Sequence, residues 1–366
     1  MIKVNAPYIT EDEIKAVVEV LRSGQLAHGP VVGEFERAFS EYLGVPYTVA
    51  VSNGTVALYL ALKALGVGDG DEVIVPDFTF IATASMVVAA GAKPVFADID
   101  LRTYTIDPED VKKKISERTK AIIVVHLYGH PANMEELIDI TREYNIYLIE
   151  DCAQSHGAEF KGAKTGTFGD VATFSFYATK NLTMGEGGAV VTKNKEIAEK
   201  VMLLRNHGQV SRYYHTIIGW NFRLTSIQAA LGLQQLRKLD KMNSRRREIA
   251  NTYLEKLQDI ADIVLPAEMP WAKHVYHQFT IWVKKSGLRS KLIEYLKSKG
   301  IQTAVHYPRP LHLQPALSEF SHKSDLCPNS TEASKHVLSL PMHPGLTDEE
   351  IHYVAKTVRE FFSLIR

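Results

Sequence analysis

Val171-Ala172-Thr173-Phe174-Ser175-Phe176-Tyr177-Ala178-Thr179-Lys180-Asn181 runs from an apolar stretch straight onto a lysine, and Gly185-Glu186-Gly187-Gly188 follows. Residues 171–176 predict a strand and residues 189–192 predict the next. Only 12 residues, 177–188, separate them. A parallel crossover needs about a dozen residues or more, usually with a helix, so one of these strands is expected to run antiparallel. Upstream, apolar runs at 47–51, 72–75, 94–97, 121–125 and 146–149 alternate with helical patterns. Strands alternating with helices predict an α/β fold, with a mostly parallel seven-stranded sheet between helices.

Outward from that centre, Thr10-Glu11-Asp12-Glu13 reads as a capping box. Ile14, Val17, Val18 and Leu21 then form one apolar helical face, and Val32, Phe35, Phe39 and Leu43 form another. Asp107-Pro108 opens a helix, and residues 134–144 predict one more. Helices are expected at 195–205, 224–238 and 241–257. Beyond them Pro266 and Pro270 change the texture. A smaller α/β unit follows, with strands expected at 278–283 and 303–306, and helices at 290–299 and from Asp348 to about 364. The boundary falls near residues 240–250, giving a large domain 1–245 and a small C-terminal domain 246–366.

The chain has 366 residues, and 42 Lys and Arg balance 42 Asp and Glu. Zero net charge gives no electrostatic footprint for a nucleic-acid or membrane-surface partner. Cys152 and Cys327 are the two cysteines. They make neither a disulfide framework nor a zinc cluster, so a reducing, cytoplasmic setting is expected. No apolar run approaches the ~18 residues of a membrane span, and no apolar signal-peptide core follows Met1. No metal is expected, since no His-Glu-x-x-His or clustered Cys/His set is present.

The nucleotide motifs fail. Gly66-Val67-Gly68-Asp69-Gly70 precedes a strand and has the wrong spacing for a dinucleotide fingerprint. Residues 157–165 read as a loop, because Ala163 separates Gly162 from Lys164. Ser52-Asn53-Gly54-Thr55 lies between a strand and a helix, where free backbone N–H groups hold a phosphate or simply form a cap. Glu150-Asp151-Cys152-Ala153-Gln154 follows a strand, where open α/β sheets bind ligands and where solvated acids also sit. A lysine just past a strand is ordinarily solvated, yet a desolvated one is a nucleophile toward an aldehyde. A phosphate cradle, a strand-end Asp and a lysine near Ser175 are together the three parts that pyridoxal phosphate requires.

These motifs resemble the DegT/StrS-type sugar aminotransferases, of the aspartate-aminotransferase fold type of pyridoxal-phosphate enzymes. Pro76-Asp77-Phe78-Thr79-Phe80, Val125-His126-Leu127-Tyr128-Gly129, Arg205-Asn206-His207-Gly208 and Asn221-Phe222-Arg223-Leu224 extend the likeness nearly end to end. The resemblance implies a PLP-dependent transferase of fold type I. It implies that Lys180 links the cofactor covalently and moves the proton, and that Asp151 pairs with the pyridine nitrogen. Gln154 would lie near the ring hydroxyl. Phe80 would stack on the ring, or else pack as a core aromatic. Gly54, Thr55 and Ser175 would bind the phosphate. Asn221 would reach that phosphate from a second subunit of a homodimer with shared sites. Arg223, from the same partner, would meet a carboxylate or form an interface ion pair.

The likeness is closest to the branch that aminates C3 of 3-keto nucleotide sugars, carried by His207-Gly208-Gln209, Arg212-Tyr213-Tyr214-His215 and Thr303-Ala304-Val305-His306-Tyr307-Pro308. It implies transfer from L-glutamate to C3 of a UDP-linked 3-keto-N-acetylhexosamine or uronic acid, in polysaccharide or glycan biosynthesis. His306 and Tyr307 would line the sugar site; a packed core histidine is the other reading. The alternatives are a C4 aminotransferase, a sugar dehydratase and a PLP-bearing sensor. Relatives that dehydrate carry histidine at the lysine position, and Lys180 here favours amino transfer. Cys152 stands where many members have alanine and has no assigned role.

Overall fold

The computed structural model describes residues 1–321 and 326–365. All seven apolar runs become strands of one sheet: β1 (Tyr47–Val51), β2 (Glu72–Pro76), β3 (Lys93–Ala97), β4 (Thr119–Val125), β5 (Tyr147–Asp151), β6 (Val171–Ser175) and β7 (Gly188–Thr192). Their order is β1-β7-β6-β5-β4-β2-β3. Neighbours are parallel except β7, which runs antiparallel to both β6 and β1. The short connection 177–188 thus does what its length demanded.

Successive side chains of a strand point to opposite faces, so a sheet covered on both sides needs apolar residues throughout. Val51, Val75, Ile123, Ile149, Val171 and Val190 pack with Leu58 and Leu62 of the helix Gly54–Ala64. On the other face Ala50, Ala172, Phe174 and Val191 pack with Phe35 and Phe39 of the helix Pro30–Leu43. Phe39 meets Phe174 edge-on with centroids 4.9 Å apart, and Phe35 meets Phe176 likewise at 5.3 Å. Edge-to-face pairs add about 0.5–1.5 kcal/mol each beyond burial.

The predicted helices at 224–238 and 241–257 form one continuous helix, Ser226–Leu257. Nothing in Leu239-Asp240-Lys241 breaks it, and Thr225 with Gln228 caps its start. Residue 245 lies inside this helix. It connects the large sheet to a three-stranded antiparallel sheet of β8 (Ile263–Val264), β9 (Phe279–Val283) and β10 (Val337–Leu340), in the order β8-β9-β10. Helices Leu288–Ser298 and Asp348–Leu364 cover that sheet.

Residues 303–306 are not a strand. Ala304 makes only an isolated bridge to Ser339, and the third strand is β10. Pro308 and Pro310 follow closely and cannot donate to a ladder. The expected loop 157–165 holds a short hairpin, Glu159–Phe160 with Ala163–Lys164. Ala272–Lys273 pairs with that hairpin and ties the C-terminal unit to the large one. No helix among the described residues is long and apolar enough to cross a membrane.

Candidate active site

The parallel strands β1, β5 and β6 end along one edge of the sheet, where open α/β folds hold ligands. A cavity of about 710 Å³ opens there. Gly54, Thr55, Phe80, Asp151, Gln154, Ser175, Lys180, His306 and Tyr307 all line it.

At the end of β1 the chain turns into a helix. Asn53 caps it, its Oδ1 accepting the N–H of Val56 at 2.9 Å. The first backbone bond runs from Ala57 to Asn53. The amides of Gly54 and Thr55 precede these bonds and are the ones an anion can take. A Cβ on Gly54 would lie 2.6 Å from the Ser175 Cβ, and one on Gly188 only 2.4 Å from Asn53 carbon. Glycine at these two places lets the helix start close against the ends of β6 and β7. The cradle therefore gathers two amides and the Ser175 hydroxyl at one point, a donor set suited to a phosphate.

Asp151 is the last residue of β5. Its Oδ1 accepts the N–H of Ala153 at 3.0 Å. Burial pushes its carboxyl up, against that hydrogen bond and the charge of Lys180. A ring cation placed beside it would reverse the shift. Lys180 follows β6 through a turn, its N–H on the Tyr177 carbonyl. Burial pushes its ammonium down to about 8, with Asp151 opposing. A lysine titrating there supplies free amine near neutral pH.

Glu150 points the other way and is structural. It takes His126 Nε2 at 3.1 Å and the backbone N–H groups of Gly166, Phe168 and Gly169.

Gln154 is oriented by two contacts. Its Oε1 accepts the Tyr128 N–H at 2.8 Å, and its Nε2 donates to the Tyr307 hydroxyl at 3.2 Å. Tyr128 has φ 58°, a left-handed value costly for a non-glycine residue. Its hydroxyl donates to the His306 carbonyl. Phe80 is 55% exposed, so it is not a core aromatic, and its ring lies 6.2 Å from that of Tyr307. His306 is half-buried with Nδ1 3.1 Å from Ser339 Oγ. Burial, then Lys180, pushes it down to about 4.

Two expected site residues are elsewhere in this chain. Asn221 and Arg223 bond to each other through Arg223 Nε at 3.1 Å, and Arg223 also reaches Asn206. Arg223 lines a separate surface cleft with His28, Arg205 and Val210. Thr83, His277 and Gln278 are among the lining residues that were not expected. The only signal for His277 was its place just ahead of a predicted strand.

The residues fit pyridoxal phosphate: a cradle that excludes a Cβ, a buried carboxylate and a buried amine face one cavity. The model described as the DegT/DnrJ/EryC1/StrS aminotransferase family matches residues 7–359. The dTDP-3-amino-3,6-dideoxy-alpha-D-galactopyranose transaminase of Aneurinibacillus thermoaerophilus is 43% identical over 360 residues, covering 98% of this chain and 97% of that one. The GDP-perosamine synthase of Escherichia coli O157:H7 is 39% identical over 366 residues, covering 99% of each. The crystal structure of S. venezuelae DesV in complex with a ketimine intermediate superposes with a TM-score of 0.93 at 40% identity, covering 96% of this chain and 94% of that one.

Proposed function

The chain belongs to the DegT/DnrJ/EryC1/StrS aminotransferase family, and from that premise we propose a 3-aminotransferase that moves the amino group of L-glutamate to C3 of a UDP-linked 3-keto-N-acetylhexosamine or its uronic acid. At the coarser level it is a nucleotide-sugar aminotransferase, PLP-dependent and of fold type I. The observation that carries the site reading is that nine of the eleven expected residues line one cavity.

When bound, pyridoxal phosphate supplies an electron sink that lets the Cα–H bond of the donor break. The protein's own residues do the rest. Gly54, Thr55 and Ser175 hold the phosphate. Asp151 keeps the pyridine nitrogen protonated, because its buried carboxylate is stabilised by a cation beside it. Gln154 is turned by Tyr128 so that its amide hydrogens face the site. Phe80 covers one face of the ring. Lys180 holds the cofactor, takes the Cα proton of L-glutamate at Nζ, and later returns a proton to C3 of the sugar. His306 and Tyr307 line the sugar side. Asn221 and Arg223, which do not reach this cavity in their own chain, serve the site of a second copy in a homodimer.

Support for C3 comes from the 3-amino position in the name of the relative 43% identical to this chain. The nucleotide has a second reading, dTDP or GDP, because relatives are named for those sugars. The test is incubation with ¹⁵N-glutamate and 3-keto or 4-keto sugars on UDP, dTDP and GDP, followed by NMR of the products. Label at C3 of the UDP sugar is expected. Label at C4, label only on another nucleotide, or loss of a hydroxyl without label overturns this substrate.

A further inference from the structure

The chain that leaves the cavity wall at Tyr307 is moored to the large sheet at one buried point. Pro76 ends β2, and Asp77 continues its line for one residue, its N–H on the Ala97 carbonyl of β3 at 2.8 Å. Asp77 is fully buried and His312 nearly so. A buried carboxylate needs partners for its oxygens, and this one finds them on a single residue. Asp77 Oδ1 accepts the His312 backbone N–H at 2.7 Å, and Asp77 Oδ2 lies 2.6 Å from His312 Nδ1. The Asp77 carbonyl also accepts the Leu311 N–H at 2.8 Å. Three hydrogen bonds thus join residue 77 to residues 311 and 312.

Both sides of that junction lead into the cavity. From Asp77 the chain runs through Phe78 to Thr79 and Phe80, which line it. From His312 it runs back through Pro310, Arg309 and Pro308 to Tyr307 and His306, which also line it. Proline fixes φ, so the span between His312 and Tyr307 has few torsions free to absorb a shift. The two arms converge at their rings, with the Tyr307 centroid 6.2 Å from those of Phe78 and Phe80. Asp77 and His312 themselves lie buried behind this lining. Apart from Phe80, the residues assigned to the cofactor stand on other elements: the helix after β1, the ends of β5 and β6, and the segments that follow them.

We propose that Asp77 and His312 are a positioning pair for the sugar, the contact between their side chains mooring residues 307–312 and so holding Tyr307 at its distance from Phe80, a role that rests on the reading of His306 and Tyr307 as the sugar side. The pair touches no reacting atom. Loss of the imidazole leaves Asp77 on the Ala97 carbonyl, so the Phe80 arm stays in place and the Tyr307 arm loosens. The consequence is selective. The nucleotide sugar, much the larger of the two substrates, fills the gap between the arms, and L-glutamate does not.

Two variants separate the mooring from the fold. His312→Leu removes the imidazole and keeps the backbone N–H for Asp77 Oδ1. His312→Asn places a carboxamide N–H near where Nδ1 stands. Full-length enzyme carrying pyridoxal phosphate is mixed with L-glutamate, and loss of the lysine-linked chromophore is followed by stopped flow. The aminated enzyme is then mixed with the keto nucleotide sugar that the wild type accepts, and return of the chromophore is followed. In His312→Leu the half-saturating sugar concentration is expected to rise about tenfold, with its limiting rate within about threefold and the glutamate step within about twofold of wild type. His312→Asn is expected to bring the sugar step back to within about threefold. Where His312→Leu does not fold, Asp77→Asn, which keeps an acceptor for the His312 N–H, is expected to raise the same concentration about threefold. Wild-type sugar saturation in His312→Leu or Asp77→Asn, equal weakening in His312→Leu and His312→Asn, or equal loss in both half-reactions overturns the pair and leaves the aminotransferase standing. A wild-type enzyme that takes the amino group of glutamate and passes it to none of the UDP, dTDP and GDP keto sugars overturns the sugar reading, and the role of the pair with it.

Discussion

The floor and the wall of the cavity are built by different means. The floor comes from the ends of β1, β5 and β6: sheet register fixes Asp151 and Ser175, the capped helix that opens after β1 places Gly54, and the turn that leaves β6 carries Lys180. The wall comes from 277–278 and 306–307, segments without regular structure, held by side chains such as Tyr128, Arg246 and Ser339. A floor of this kind sets the reacting groups rigidly, while a wall of this kind can be retuned by single side chains. Damage to the floor is therefore expected to cost far more than damage to the wall.

The largest effect lies on the turn that leaves β6, at the edge of the floor. Lys180→Ala is expected to abolish turnover, a loss of about 10⁴-fold or more, because proton transfer and covalent linkage vanish together. Activity within tenfold of wild type would break the comparison at its root. The pH profile sharpens it. Lysine capture of the cofactor needs the free amine, which titrates at about 8. Capture should fall about tenfold per pH unit below that value and level off above it. A profile centred near the ordinary lysine value would mean that the amine is not desolvated as the cavity implies. Asp151→Asn comes next, with a loss of about 10²–10³-fold in kcat expected, since a neutral amide cannot keep the pyridine nitrogen protonated. The check is steady-state kinetics at saturating cofactor; unchanged kcat would free Asp151 of that role.

The same contrast explains what could be read from the sequence. Every strand of the large sheet was legible, because each is an apolar run bounded by polar turns, and the 12-residue connection 177–188 gave the antiparallel strand. Asp151 was legible as a strand-end acid. The C-terminal unit was less so. Val337-Leu338-Ser339-Leu340 is too short and too close to a helix to announce a strand, and Thr303-Ala304-Val305-His306 mimics one without pairing along its length. The join at 238–241 carries no breaker, so only packing shows that the two predicted helices are one. His277 was invisible for a different reason. Its place on the cavity is set by contacts to Asn181 and Arg246, 96 and 31 positions away in the chain, and periodicity carries no information about such pairs.

Two smaller changes rank the floor against the wall. Gly54→Ala forces a Cβ to within 2.6 Å of Ser175, whose backbone Cα lies at 3.1 Å and cannot rotate away. Overpacking of this kind costs about 1–3 kcal/mol, and it falls on the phosphate cradle itself. Cofactor affinity should weaken about 10- to 100-fold by equilibrium titration. Tyr307→Phe, on the wall, removes only the hydroxyl that receives Gln154 Nε2 at 3.2 Å. Gln154 keeps its bond to the Tyr128 amide, so its carboxamide stays oriented. The loss is one side-chain hydrogen bond, about 1 kcal/mol or roughly fivefold in cofactor affinity. If Tyr307→Phe weakened binding as much as Gly54→Ala, the wall would be as rigid a part of the cofactor site as the floor, and the division between them would fail.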